Sequence, residues 1–380
     1  MLRSSPALGA AAALALACAT PTASRLAAPP APWVEEGAAR GLPVENPLLL
    51  RPETVESIRV AASGSGAEAS QMRRLLRYLV DDSGLGFRYQ ASRTLNAEDA
   101  FHARAGDCMS YAVLYVAAAR SLGLHVHFVR ITQYPVFWGE NGQFFTSSHI
   151  AVAHGHETWM GEAMVVDFSA THTSAWRFAM YEETDDETAL VLFHSNRAVE
   201  LMLAGRSMEA EALLRFLVQR AAPVPEVYNN LGIVLARQGR VTDAVDVYAR
   251  AIARFPRFMP LYSNAVSAAG RAGLSELAAR WSEAGRKVAD SDPAFHFSEG
   301  LLAYRQRDFD AAAGHFERAL SSQPDDVTLL AWAARAHLSA GDIDRGKSQV
   351  ERIRRQKPTP QQSLLLEQLE REFPSAALHS

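Results

Sequence analysis

Apolar and polar positions follow two different rhythms along this chain. From Ala69 to Leu79, the residues Met72, Leu75, Leu76 and Leu79 recur at helical spacing, and Asp82-Ser83-Gly84 ends the predicted helix. Phe87-Arg88-Tyr89 reads as a short extended piece, and Asn96-Ala97-Glu98 as a helix start with Ala97 to Ala103 behind it. An apolar run through Leu114, Val116, Ala117 and Leu122 predicts a largely buried helix that begins near Cys108 and stops at Gly123. Three β-rich stretches follow, at Leu124 to Ile131, Ser148 to Ala153 and Ala163 to Phe168, with a polar turn region around Gly155–Gly161. After about Trp176 the strand-like alternation stops, and Ala, Leu, Arg and Glu dominate.

The second half repeats itself with a period of 34 residues: Gly205, Gly239, Gly273 and Gly341 form one ladder, with Arg307 on the missing rung. Ala210, Ala244, Ala278 and Ala312 form another, Asn196, Asn230 and Asn264 a third, and Pro256, Pro324 and Pro358 close three units. The clearest unit reads Tyr228, Leu231, Gly232, Gly239, Ala244, Tyr248, Ala251, Pro256. These types at these offsets resemble the tetratricopeptide repeat, a pair of helices in which small residues permit close approach and proline ends the second helix. Five units start near Val191, Pro225, Met259, Pro293 and Val327, and the Met259 unit departs most, with Val266 and Gly285 at pattern positions. Such an array implies a groove lined by the first helices. Asn230 with Arg237, and Asn264 with Arg271, are spaced to share a helix face, and Arg237, Arg271 and Arg305 lie one period apart. They are candidate contacts to carboxylates of a protein or peptide partner.

At 380 residues the chain is long enough for two or three domains, and 48% hydrophobic with 21% charged residues is a globular composition. The 38 basic and 42 acidic residues leave a net charge of −4, so a nucleic-acid partner bound through a basic field is not expected. The start, Arg3 followed by apolar residues to Ala17, has a signal-peptide pattern. Cys18 after Ala15-Leu16-Ala17 resembles a bacterial lipobox, with leucine two places before the cysteine where the family prefers three. That resemblance implies a lipid on Cys18, contact with the membrane through that anchor alone, and, with Ala19 following, a periplasm-facing outer-membrane lipoprotein. Ordinary signal-peptide cleavage near Ala17–Ala23 is the alternative. Residues 19–67, with Pro29, Pro30, Pro32, Pro43 and Pro47, read as an Ala/Pro-rich tether.

Only one other cysteine exists, so no disulfide framework is possible. Cys108 falls at the start of the long apolar helix, where unpaired amides and the helix dipole favour negative charge. A nucleophilic thiol needs a base and the base an orienting acid, and His149 and Asp167 follow on separate predicted strands. The run Gly106-x-Cys108-x-Ser110-Tyr111-Ala112, the helix end Ala119-Arg120-Ser121-Leu122-Gly123-Leu124, then Ser148-His149-Ile150-Ala151-Val152 and Val165-Val166-Asp167-Phe168, resembles the core of the transglutaminase-like superfamily. The resemblance implies a papain-like α+β domain with Cys108 as nucleophile, His149 as base and Asp167 as orienting acid. Ile150-Ala151 and Phe168 replace the family's frequent Trp and Pro beside the His and Asp. His154-Gly155-His156-Glu157 matches no zincin spacing, so neither a metal site nor a cofactor is expected.

The expected organisation is a signal peptide (1–18), a tether (19–67), a transglutaminase-like domain (68–175), five repeats (191–360) and a C-terminal cap and tail (361–380). The expected function is an exported cysteine peptidase or amidohydrolase that cleaves peptide or peptidoglycan-type amide bonds through a thioester. Its alternatives are a non-catalytic envelope scaffold and an acyl-transfer crosslinker.

Overall fold

The computed structural model describes residues 31–62, 64, 66–91, 93–140, 143–154, 164–166, 181–356 and 360–374. Cys18, Asp167 and Pro358 lie outside the described residues.

Helices α1 (Pro32–Ala39), α2 (Pro52–Ala62) and α3 (Glu68–Val80) precede the short parallel pair β1 (Arg88–Tyr89) and β2 (Ala105–Gly106), with α4 (Ala97–Ala103) between the two strands. Helix α5 (Cys108–Ser121) is buried from Met109 to Ala119, as its nearly uninterrupted apolar run requires. It packs on a sheet of order β5-β4-β3-β6, built from β3 (Val126–Glu140), β4 (Gln143–His154), β5 (Met164–Val166) and β6 (Tyr181–Thr184), in which β3–β4, β3–β6 and β4–β5 are antiparallel.

Five helical pairs follow: α6 (Asp186–Leu203) with α7 (Ser207–Arg220), α8 (Pro225–Arg237) with α9 (Val241–Arg254), α10 (Pro260–Arg271) with α11 (Ser275–Ser291), α12 (Pro293–Arg305) with α13 (Phe309–Ser322), and α14 (Val327–Ala340) with α15 (Ile343–Arg355). Helix α16 (Pro360–Glu372) packs on α14. The close approach expected at Gly232 is present: a Cβ there would lie 2.3 Å from the Tyr248 ring, and one at Gly300 would lie 2.6 Å from the Phe316 ring. In the Met259 unit the small residue has moved to the second helix, where Gly285 faces Tyr262.

Two expectations change. Residues 19–67 are not a tether throughout, because helices α1 and α2 form within residues 32–62 and pack on the rest of the fold. Trp33, Val34 and Val44 are buried, and Trp33 meets the rings of His194 and Phe216 edge-on. A few large apolar side chains among Ala and Pro are enough to dock this segment on the first repeat. The hairpin is also longer than read from Leu124 to Ile131 and Ser148 to Ala153, since Val126–Glu140 and Gln143–His154 pair throughout apart from an irregularity between Ile131 and Val136. The intervening sequence is rich in β-branched and aromatic residues, which suit a strand.

That hairpin does not stay within its own domain. It runs along α8, α10 and α12, the first helices of three consecutive repeats. Arg130 of β3 donates to the buried Glu226 of α8 at 2.6 Å, and Arg120 of α5 grips Asp186 of α6 through both guanidinium nitrogens at 2.6 and 2.8 Å. One hydrophobic core runs from Trp33 through α5 and the sheet to Trp281 of α11; a second joins α12 to α16.

Candidate functional site

Asp107 is the N-cap of α5, and Cys108 its first helical residue. The Asp107 carboxylate accepts from the Ser110 amide at 2.8 Å and from the Thr94 hydroxyl at 2.6 Å. The Ser110 hydroxyl accepts from the Leu95 amide and donates toward Arg93 O. Gly106 has to be glycine, because a Cβ there would stand 2.4 Å from the Ser110 Cβ. These contacts brace the turn before the helix, while Cys108 itself stays half-buried.

The brace continues into the repeats. Thr94 N donates to Glu200 of α6 at 2.5 Å, and Arg197 of the same helix donates to Thr94 O at 3.1 Å. Burial raises the Glu200 pKa, and the Asp107 charge adds to the rise. Asp107, Thr94, Glu200 and Arg197 were not read from the sequence. Only the Asp107-x-x-Ser110 cap spacing signals any of them.

The sheet carries His149, on β4. Arg120, near the end of α5, donates to Val126 O at the start of β3, and the turn at Leu122–Gly123 folds β3 back along the helix. His149 lies opposite Ile131 in register and is buried, on the strand β4 that packs against α5. Asp167 follows directly on β5, whose Val166 pairs with Val152 of β4.

Tyr89 joins this group. The β1–β2 bridge sets it opposite Gly106, and the Gln90 amide donates to Gly106 O at 2.8 Å. Its phenol pKa is pushed up to about 12, by burial first and then by the negative charge of Cys108 and Asp107. Tyr89 remains 53% exposed.

The predicted partner-binding residues divide. Asn230 and Asn264 are buried rather than presented in a groove: Asn230 donates to Ser195 Oγ at 3.0 Å and Asn264 to Asn229 Oδ1 at 2.8 Å, so each amide joins one repeat to the one before. Arg271 donates to Ala236 O in the last turn of α8, a similar link between repeats. Arg237 is half-buried at the end of α8, and Arg305 is exposed at the end of α12. His154 contacts His125 O and Glu68, which places it in the fold rather than on a free turn.

An α+β domain with a cysteine at a helix start and a histidine on the packed sheet, joined to stacked helical pairs, defines the class. Residues 57–160 match the family model of the transglutaminase-like superfamily, and residues 196–257 and 303–369 match models of the tetratricopeptide repeat. The chain carries a transglutaminase-like domain followed by a tetratricopeptide-repeat array, a protein-interaction module. Among solved structures, it is similar to a thermophilic TPR protein of Thermus thermophilus, with 21% identity over 50% of this chain and 99% of that one, and a TM-score of 0.25. It is also similar to MamA, residues 41 to the end, from Desulfovibrio magneticus, with 18% identity over 48% of this chain and 96% of that one, and a TM-score of 0.24. No curated protein matches the chain.

Proposed function

We propose that the protein is a cysteine amidohydrolase or peptidase of the transglutaminase-like type, exported and lipid-anchored through Cys18, whose repeats recruit a protein partner. The observation that supports it best is the braced turn that presents Cys108 at the start of α5, the helix against which the strand carrying His149 packs. In this reading the Cys108 sulfur attacks the carbonyl carbon of an amide, and His149 takes the thiol proton. The tetrahedral adduct expels the amine, to which His149 returns that proton, leaving a thioester that water resolves. Asp167, next after β5, holds the imidazole tautomer. The substrate class is a peptide or cell-envelope amide. Any partner of the array has to share the faces of α8, α10 and α12 with the hairpin or bind beyond them, where Arg305 is exposed.

Iodoacetamide should alkylate Cys108 at neutral pH at least tenfold faster than a free thiol, on general-base grounds, and His149→Ala should remove that advantage. Alkylation no faster than a free thiol would sink the proposal. Incorporation of a fatty-acid analogue, expected in the wild-type protein, should vanish in Cys18→Ser; label that persists rules out the anchor.

A further inference from the structure

We infer that Tyr89 is a catalytic residue of the Cys108 site, its hydroxyl donating a hydrogen bond to the carbonyl oxygen as the thioester forms; this rests on the nucleophilic reading of Cys108.

Attack of sulfur on an amide carbonyl forms the S–C bond and drives the π pair onto oxygen, while the thiol proton passes to His149. The oxygen then carries a full charge that has to be met by donors placed beforehand. The backbone amide of Cys108, at the first position of α5, is one donor without a partner inside its helix. A second donor has to reach the same side of the sulfur, be exposed enough to meet a substrate, and stay protonated at neutral pH.

Tyr89 is placed beside the nucleophile's turn, is exposed and stays protonated. The parallel bridge between β1 and β2 fixes its backbone beside Gly106, two residues before the nucleophile, and the Gln90 amide bonded to Gly106 O closes the ladder. It is the exposed large aromatic residue of this strand pair, while Phe87, two residues earlier on the same side, is fully buried against Tyr111. The raised pKa of Tyr89 keeps the proton on the phenol, so it donates rather than accepts.

Tyr89→Phe removes one hydroxyl and keeps the ring. Two reactions of the full-length protein separate its role. Acylation by p-nitrophenyl acetate passes through an oxyanion, whereas alkylation by iodoacetamide is a displacement at saturated carbon and forms none. The variant should lose about a hundredfold in the rate of the p-nitrophenolate burst and keep its alkylation rate within about twofold. An unchanged burst overturns the assignment, as does a parallel fall in both rates, which would make Tyr89 a structural support of the turn. A wild-type protein that gives neither fast alkylation nor an acyl burst overturns the nucleophile itself, and this assignment with it.

Discussion

The Asp107 carboxylate sits where three parts of the molecule meet: it caps α5, receives the Thr94 hydroxyl, and through Thr94 reaches Glu200 and Arg197 on the first helix of the repeats. Its side chain is therefore worth more than an ordinary cap. Asp107→Ala leaves the buried Ser110 amide and the Thr94 hydroxyl without their acceptor, and loss of the cap alone costs roughly 1 kcal/mol. With the unpaired hydroxyl added, the expected loss is about 2–3 kcal/mol, readable as a lowered urea midpoint with unchanged slope. Alkylation of Cys108 should slow as the turn loosens. Asp107→Asn, which retains an acceptor oxygen, should recover most of the stability.

Each two-helix unit turns on a single backbone position. Gly205, Gly239, Gly273 and Gly341 adopt φ of +80°, +81°, +75° and +86°, and the fifth rung, Arg307, adopts +64°. The ladder seen in the sequence is thus a ladder of left-handed turns, and arginine takes the same conformation against its preference. A side chain in that region costs roughly 1–2 kcal/mol. Arg307→Gly should therefore raise stability, by about 1 kcal/mol after the entropy that glycine adds to the unfolded chain is deducted. Denaturant unfolding followed through Trp332, which packs against Phe297 and Phe316 beside this turn's helices, checks it. A lower midpoint in the variant would mean that Arg307 makes contacts that outweigh its backbone strain.

Across the whole molecule, the N-terminal segment, the transglutaminase-like domain and the first three repeats share one core, so they form a single folding unit despite their different architectures. His194 stands at their junction. It is fully buried, its Nε2 donates to Glu45 O at 3.0 Å, and Trp33 and Phe193 approach its ring edge-on. Its Nδ1 has no hydrogen-bond partner among the described residues, so a second proton has nowhere to bond. Burial lowers its pKa to about 4. The unfolded chain takes up a proton below about pH 6.5, whereas the folded chain resists doing so until about pH 4. The stability that His194 confers is whole above pH 6.5, falls as pH drops toward 4, and amounts to on the order of 3 kcal/mol. In His194→Gln, whose amide can still donate to Glu45 O, this part of the pH dependence of the urea midpoint should flatten. An unchanged profile would move the acid sensitivity to other groups.

Periodicity alone determined the element types from α3 to β5 and through the repeats, but not α1 and α2, in the expected tether, or β6, which lies beyond the point where the strand-like alternation stops. The helix that begins at Cys108 and the four glycine rungs of the repeats follow from local propensities that tertiary contacts do not override, whereas Arg307 is held in the left-handed region against its own. The transglutaminase-like family was likewise legible, because the motifs around Cys108, His149 and Asp167 resemble its core in type and order. Long-range contact was not legible, since residues far apart in sequence leave no periodic trace. Only the tertiary structure decided that Trp33 and Glu45 dock on the first repeat while α2 packs on α3 and α5, that the hairpin extends along α8, α10 and α12, and that the buried Asn230 and Asn264 link neighbouring repeats. It also brought Tyr89 and Thr94 to the Cys108 turn. The sequence by itself determined the two families that the halves of the chain match. The packing of one half against the other decided which side chains stand beside the Cys108 turn, because burial and hydrogen-bond pairing depend on neighbours that only folding brings together.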